Sequence, residues 1–358
     1  MKEATVELLR ELTEVNGVPG FEDQVAQLVV KALGDFTEVS RDNLGSVICA
    51  RDGGRGGPKV MLAGHMDEIG FIVQLITKEG FVKFLPLGGW WDQVLLAQRV
   101  VIQTQKGPVH GIVGSKPPHL LEDEERSKVC KLKDMFIDVG AKDQKEASAK
   151  FGIRPGDPVV PWSPFTRLSN RKLLAGKAFD DRVGVAMFVE ALKALKGQKH
   201  PNIVYGVGTV QEEVGLRGAQ TSAYAIAPDV ALIMEVAIAG DVPGISDQES
   251  EVKLGGGPAI YLFEGSAIPN FRLRELAIEV CTKKKIPYAT ALMPRGGTDA
   301  GRIHVHARGV PSLVIGVPTR HIHSHTGVMH ADDFDNAVKL VVELVKRLDA
   351  KTVAGLVA

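Results

Sequence analysis

Apolar positions recur at helical spacing over residues 3–15, where Val6, Leu9, Leu12 and Val15 share one side and Gly17 and Pro19 stop the run. The pattern resumes over 22–33, so two surface helices packed on a sheet are expected. Residues 36–39 and 46–50 flank Asp42-Asn43-Leu44-Gly45, a hairpin signal, and 58–63 reads as a short buried strand. That strand runs into Gly64-His65-Met66-Asp67-Glu68-Ile69-Gly70, which places His65 at a strand end, where functional groups gather in open α/β sheets. From about 71 to 162 the texture changes. Strand-like pieces at 71–77, 81–86, 99–104, 109–113 and 158–160 are broken by Gly and Pro, and helical periodicity nearly vanishes apart from a polar stretch at 142–151. An all-β, barrel-like insertion is expected, with the charged, turn-rich stretch 115–133 as a mobile loop.

Helical order returns after Phe179-Asp180-Asp181-Arg182, with Val183, Met187, Ala191 and Leu195 on one face and Gly197 at the end. The β-branched run 204–210 follows as a buried strand, and Val230–Met234 is a strand running straight into Glu235. A helix over 272–285, a strand over 311–317 and an amphipathic helix over 332–348 close the chain. Strands alternating with helices predict an α/β fold, a mainly parallel sheet flanked by helices.

Charge narrows the partners. Of 358 residues, 43 are Lys or Arg and 43 Asp or Glu, so no net field draws the chain to nucleic acid or to an acidic membrane, and neither partner is expected. No apolar run approaches the ~18 residues of a spanning helix, and the acid-bearing start lacks the apolar core of a signal peptide. A cytoplasmic protein is expected. Cys49, Cys130 and Cys281 lack C-x-x-C spacing and read as thiols rather than a zinc knuckle or a disulfide framework.

The candidate chemistry gathers around Val204–Gly215, where a strand delivers Glu212 and Glu213 into a turn. Burying two adjacent carboxylates without a cation would cost several kcal/mol, so the pair is either solvated or beside positive charge. Its company is His65 and Asp67 as H-x-D, Asp180 with Asp181, Glu235, and the cluster Arg320-His321-Ile322-His323-Ser324-His325, each following an apolar strand or opening a helix. Alone, each unit also fits a solvated turn. Together, two imidazoles and several carboxylates suit two zinc or cobalt ions rather than magnesium, which prefers oxygen ligands. In such a dinuclear hydrolase one carboxylate bridges two cations about 3.5–4 Å apart, and a water between them loses a proton near neutral pH. A carboxylate free of metal takes that proton, and Glu212 and Glu213 can divide the two tasks. Asp67 can accept the other N–H of His65 and fix its tautomer.

Nearly the full chain resembles the M42 metallo-aminopeptidases. The resemblance rests on Asn16-Gly17-Val18-Pro19-Gly20 with Glu22, Gly64–Gly70, Ala178–Gly184, Gln211–Ala219, Gly296-Gly297-Thr298-Asp299-Ala300 and Arg320–Ser324. It implies His65 and His323 as terminal ligands on separate metals, Asp180 as the bridge, Glu213 and Glu235 as the remaining ligands, Glu212 as general base and Asp67 as orienter. Gly296, Gly297, Thr298 and Asp299 look like a substrate-facing loop, and His321 and His325 are assigned supporting roles. The family more often has Asp where Glu235 stands, which bears on substrate preference. The resemblance further implies a catalytic domain over 1–67 and 166–358, an inserted β-barrel dimerisation domain over 68–165, short peptides as substrates, two divalent ions per subunit, and dimers assembling into a dodecamer. A deacylase or deblocking enzyme using the same site remains an alternative. So does a glycosidase, which is less favoured because glycoside cleavage leaves the histidines without a task and only 6% of residues are aromatic.

Overall fold

The largely apolar run Lys59–His65 is buried along nearly its whole length because it lies near the centre of an eleven-stranded sheet among the described residues. A computed structural model describes residues 1–54, 56–246 and 248–358. In chain order the strands are β1 (Glu38–Arg41), β2 (Val47–Asp52), β3 (Lys59–His65), β4 (Gly70–Ile76), β5 (Val82–Leu87), β6 (Arg99–Thr104), β7 (Gly107–Gly114), β8 (Phe136–Asp138) and β9 (Pro158–Pro161). They continue as β10 (Thr166–Arg167), β11 (Leu173–Gly176), β12 (Ile203–Thr209), β13 (Val230–Ile238), β14 (Ala259–Glu264), β15 (Ala289–Met293), β16 (Ser312–Arg320) and β17 (Gly327–His330).

The large sheet runs β1-β2-β12-β3-β13-β16-β17-β11-β10, with β14 and β15 attached beside β16. Its centre, β12-β3-β13-β16, is parallel, as expected, and its margins are antiparallel, so the whole sheet is mixed. The remaining six strands close into the expected antiparallel barrel, β4-β5-β8-β7-β6-β9, around Phe71, Phe84, Val100, Ile102, Ile137 and Val159. Strand β8 escapes sequence reading because three residues are too few to show alternation. Strands β10, β11, β14, β15 and β17, and the helix Arg217–Ile226, are likewise additions to the elements read from the sequence. The charged stretch 115–133 forms short helical turns at Pro118–Leu120 and Asp123–Arg126 and is almost wholly exposed.

The helix Phe179–Leu195 departs from the one-face burial its period predicts: Val183, Val185, Ala186, Met187, Phe188, Val189 and Leu192 are all inaccessible. It is wedged between the sheet and the outer helices, so its single-face period understates its burial. Each large apolar side chain so buried contributes about 1.5–3 kcal/mol. This anchors Asp180 and Asp181 at the helix start. The helix Ala331–Arg347 does bury one stripe, including Phe334, Leu340, Val341 and Leu344, and a short further helix, Ala350–Gly355, follows it. Among the described residues no helix is long and apolar enough to cross a membrane.

Candidate active site

Parallel strands end together, and here they end at one place. His65 is the last residue of β3, Glu212 and Glu213 follow β12 by a few residues, and His323 lies just past β16. Glu235 departs from the expectation that every candidate stands where its strand stops. It sits inside β13, which continues to Ile238 against β16. On its other side the pairing with β3 ends at Ile233↔Ala63, so Glu235 is still at the open end of the central sheet.

Asp180 lies between the two histidines. Its Oδ1 is 3.1 Å from His65 Nε2 and its Oδ2 is 3.4 Å from His323 Nε2. Glu212 Oε2 and Glu235 Oε2 approach His65 Nε2 to 3.8 and 4.0 Å, while Glu213 Oε1 approaches His323 Nε2 to 3.8 Å. His65, Asp180 and Glu213 form one set of groups close enough to share a metal ion, and His65, Asp181 and Glu235 form another. Asp181 belongs to the sequence constellation without a role there. Its carboxylate accepts the backbone N–H of His65 at 3.1 Å and of Gly184 at 2.8 Å, which ties the strand end to the helix start. The Asp180–Asp181 peptide is cis.

Both imidazoles have fixed tautomers. His65 Nδ1 lies 3.0 Å from the Asp67 carbonyl and His323 Nδ1 lies 2.6 Å from the Gly89 carbonyl. A carbonyl only accepts, so each Nδ1 carries a proton; each Nε2 faces the carboxylates, donating to Asp180 when the ring is protonated and offering its lone pair to a cation when the ring is neutral. The carboxylate of Asp67 is therefore not the main orienter of His65, from which it stands 3.6 Å away. It instead accepts the backbone N–H groups of Glu212 and Glu213, both at 3.0 Å, and sets the turn that presents them. Glu22 adds the N–H of Gln211 at 3.0 Å.

Beneath the site, Arg182 is fully buried and donates to the carbonyls of Met66, Leu12, Val15 and Gly17, and to Glu68 at 3.4 Å. Glu68 also pairs with buried Lys177. Burial lowers the Lys177 ammonium to about 8 against the opposing pull of Glu68. Among the described residues neither cation hydrogen-bonds to Asp180, Glu212, Glu213 or Glu235, and Arg182 bears on Asp181 and Asp67 only through its charge.

The electrostatics of that cluster call for positive charge. Burial, reinforced by Asp180, raises Glu213 to about 8; burial also pushes Glu212 and Glu235 well above the carboxylate range. Asp180 goes the other way: burial opposes its charge, but hydrogen bonds with His323 and His65 hold it well below. Oε1 of Glu213 is buried with no hydrogen-bond partner, as a ligand atom awaiting a cation would be. Two imidazole nitrogens and four crowded carboxyl groups form a donor set that fits divalent metal.

The cluster opens into a cavity of about 560 Å³ walled by Leu216, Ile238, Tyr261, Met293 and Ile322, with Arg295 among its lining residues. Gly296, Gly297 and Thr298 line it, but Asp299 does not: its Oδ2 accepts from the Thr209 hydroxyl. Tyr261 and Arg295 are contacts that sequence reading misses, and nothing in local periodicity marks either.

The fold and this acid–histidine cleft define a peptidase, a hydrolase of the peptide bond. The family model described as M42 glutamyl aminopeptidase matches residues 45–340, so the chain belongs to the M42 peptidase family. A second, short model, described as AMPT, matches residues 3–27. The chain is 37% identical to the lysyl aminopeptidase of Pyrococcus furiosus, covering 96% of this chain and 97% of that one. It superposes with a TM-score of 0.97 on the crystal structure of a TET aminopeptidase from a marine sediment Thaumarchaeota archaeon, at 51% identity over 99% of both chains. It also matches the TET1 peptidase of Pyrococcus horikoshii, described as assembling into a tetrahedron or a large octahedral shell, at a TM-score of 0.87 and 31% identity over 96% of this chain and 100% of that one.

Proposed function

We propose that the protein removes N-terminal residues from short peptides as a cytoplasmic aminopeptidase, with two divalent cations, zinc or cobalt, held per subunit. The observation that carries this reading is Asp180, whose two oxygens each face a different histidine Nε2. His65 and Glu235 would hold one ion and His323 and Glu213 the other, with Asp180 between them. When bound, such ions polarise the scissile carbonyl and acidify a water.

The chain's own residues do the rest. Glu212, whose backbone Asp67 fixes, takes the proton of the attacking water and returns it to the leaving amine. Glu235 and the neighbouring acids receive the substrate's free ammonium. Exhaustive chelation is expected to abolish peptidase activity, and titration with zinc or cobalt to restore it at two ions per subunit by plasma mass spectrometry. Full activity in the chelated protein, or restoration at zero ions, defeats the reading. Cleavage of N-acylated peptides but not of free ones would reassign the site to deblocking.

The family model and the P. furiosus relative carry glutamyl and lysyl in their descriptions, so membership leaves the preferred residue open. Beyond the metal cluster, Arg295 is the one charged side chain lining the cavity among the described residues. Arg295→Glu is expected to shift the ratio of kcat/KM for lysyl over glutamyl p-nitroanilides about 3- to 10-fold upward, the scale of exposed ion pairing. An equal change on both substrates would remove Arg295 from specificity.

The barrel would serve as the dimer surface from which a dodecamer is built. Its exposed Leu75, Leu85, Trp91, Ile112 and Trp162 support this, as does the assembling TET1 neighbour.

A further inference from the structure

The two halves of the acid–histidine cluster are held very differently. His65 is 2% exposed and ends a central strand, with its ring fixed by its own loop. The His323 side chain is 40% exposed, its backbone has a positive φ of 54°, and its Nδ1, the ring atom turned away from Asp180, donates to the Gly89 carbonyl. Gly89 belongs to the barrel insertion, 234 residues away in sequence.

The segment Gly88-Gly89-Trp90, which follows β5, leaves the barrel and runs against the cluster. Gly88 has φ +88°, and a Cβ there would stand 3.0 Å from Glu213 Oε2 and 2.5 Å from the Ile69 side chain. A Cβ on Gly89 would stand 3.1 Å from His323 Nδ1 and 3.3 Å from its Cε1. Glycine at both positions is what lets this backbone touch the two side chains beyond Asp180. Trp90 pins the segment in place: its Nε1 donates to the Gly70 carbonyl at 2.9 Å, and its ring stacks on Phe71 with centroids 4.7 Å apart. Its other neighbour is the ring of His325, at 5.3 Å, on the loop that carries His323. The barrel exit adds a second tie, a hydrogen bond between Ser163 and Thr326.

We propose that the barrel insertion is a working part of the metal centre, in which the Gly88–Trp90 segment positions Glu213 and His323 and so sets the affinity of their half of the centre. The proposal rests on the two-cation reading above. Partners that orient a ligating histidine change metal affinity about 10- to 100-fold when lost. The set His65, Asp181 and Glu235, built wholly from the α/β part, has no such contact with this segment among the described residues.

The test is zinc titration of the metal-free full-length protein, against a chelator of known affinity, with stoichiometry by plasma mass spectrometry. Gly89→Val and Trp90→Ala are expected to bind one ion with wild-type affinity and the second about 10- to 100-fold more weakly. Trp90→Phe, which keeps the stack, is expected to lose less. Gly89→Val placed on His323→Ala is expected to add no further loss, because both act on the same ion. Should Gly89→Val not fold, as judged by the metal-free melting curve, Gly89→Ala takes its place. Two ions bound with wild-type affinity by these variants, both affinities falling together, or an additive double mutant would each overturn the proposal. A wild-type protein that binds fewer than two ions would instead overturn the two-cation reading.

Discussion

Glu212→Gln is expected to lower kcat by about 10²- to 10⁴-fold while the protein keeps its full metal content. Glutamine has the same shape and leaves the backbone bond from Glu212 N to Asp67 in place, so the turn stays where it is. What it removes is the proton acceptor. Glu213 cannot replace it, since its Oε1 faces His323 on the other side of Asp180. Burial raises Glu212 above ordinary carboxylates, the direction that makes a carboxylate a stronger base. Turnover of an aminoacyl p-nitroanilide and metal content measured on the same sample decide the matter. A variant with wild-type kcat, or one that has lost its metal, takes the proton-transfer role away from this residue.

Arg182→Met is expected to destabilise the protein by about 3–5 kcal/mol, the cost of breaking a buried ionic network from one side. The guanidinium is inaccessible and satisfies four backbone carbonyls from two stretches of chain, Leu12–Gly17 and Met66. Methionine fills much of the volume but takes the guanidinium donors from the Leu12 and Met66 carbonyls, while Gly17 keeps the Glu68 N–H and Val15 keeps Lys177; each unsatisfied buried group costs about 1–3 kcal/mol. Arg182→Lys is expected to rescue little, because an ammonium has three donors radiating from a point and cannot match a planar fork. The loop this network supports begins at His65, so metal affinity should fall along with stability. Urea unfolding of the metal-free protein measures the effect without the linkage that bound ions would add. A midpoint within experimental error of wild type would show that the network is dispensable.

Much of the site is legible in the sequence because its parts are local. H-x-D, Asp-Asp, Glu-Glu and the histidine cluster each follow a strand or open a helix, and apolar periodicity finds those elements. Asp67 shows where local reading stops. Two residues from His65, it reads as a partner of the imidazole, yet in the fold its carboxylate holds the N–H groups of Glu212 and Glu213 some 145 residues on. Asp299 likewise sits in a loop that reads as substrate-facing, and its side chain turns inward to Thr209.

The chain alone determined the alternation of strands and helices, the barrel-like interruption and the identity of the acids and imidazoles, since each depends on residue type and short-range spacing. Only the tertiary structure decided that Glu235 stands inside a strand, that Asp180 faces both histidines, and that a barrel carbonyl meets His323 Nδ1. These follow from register and packing between segments more than a hundred residues apart, and no period along the chain encodes a distance across it.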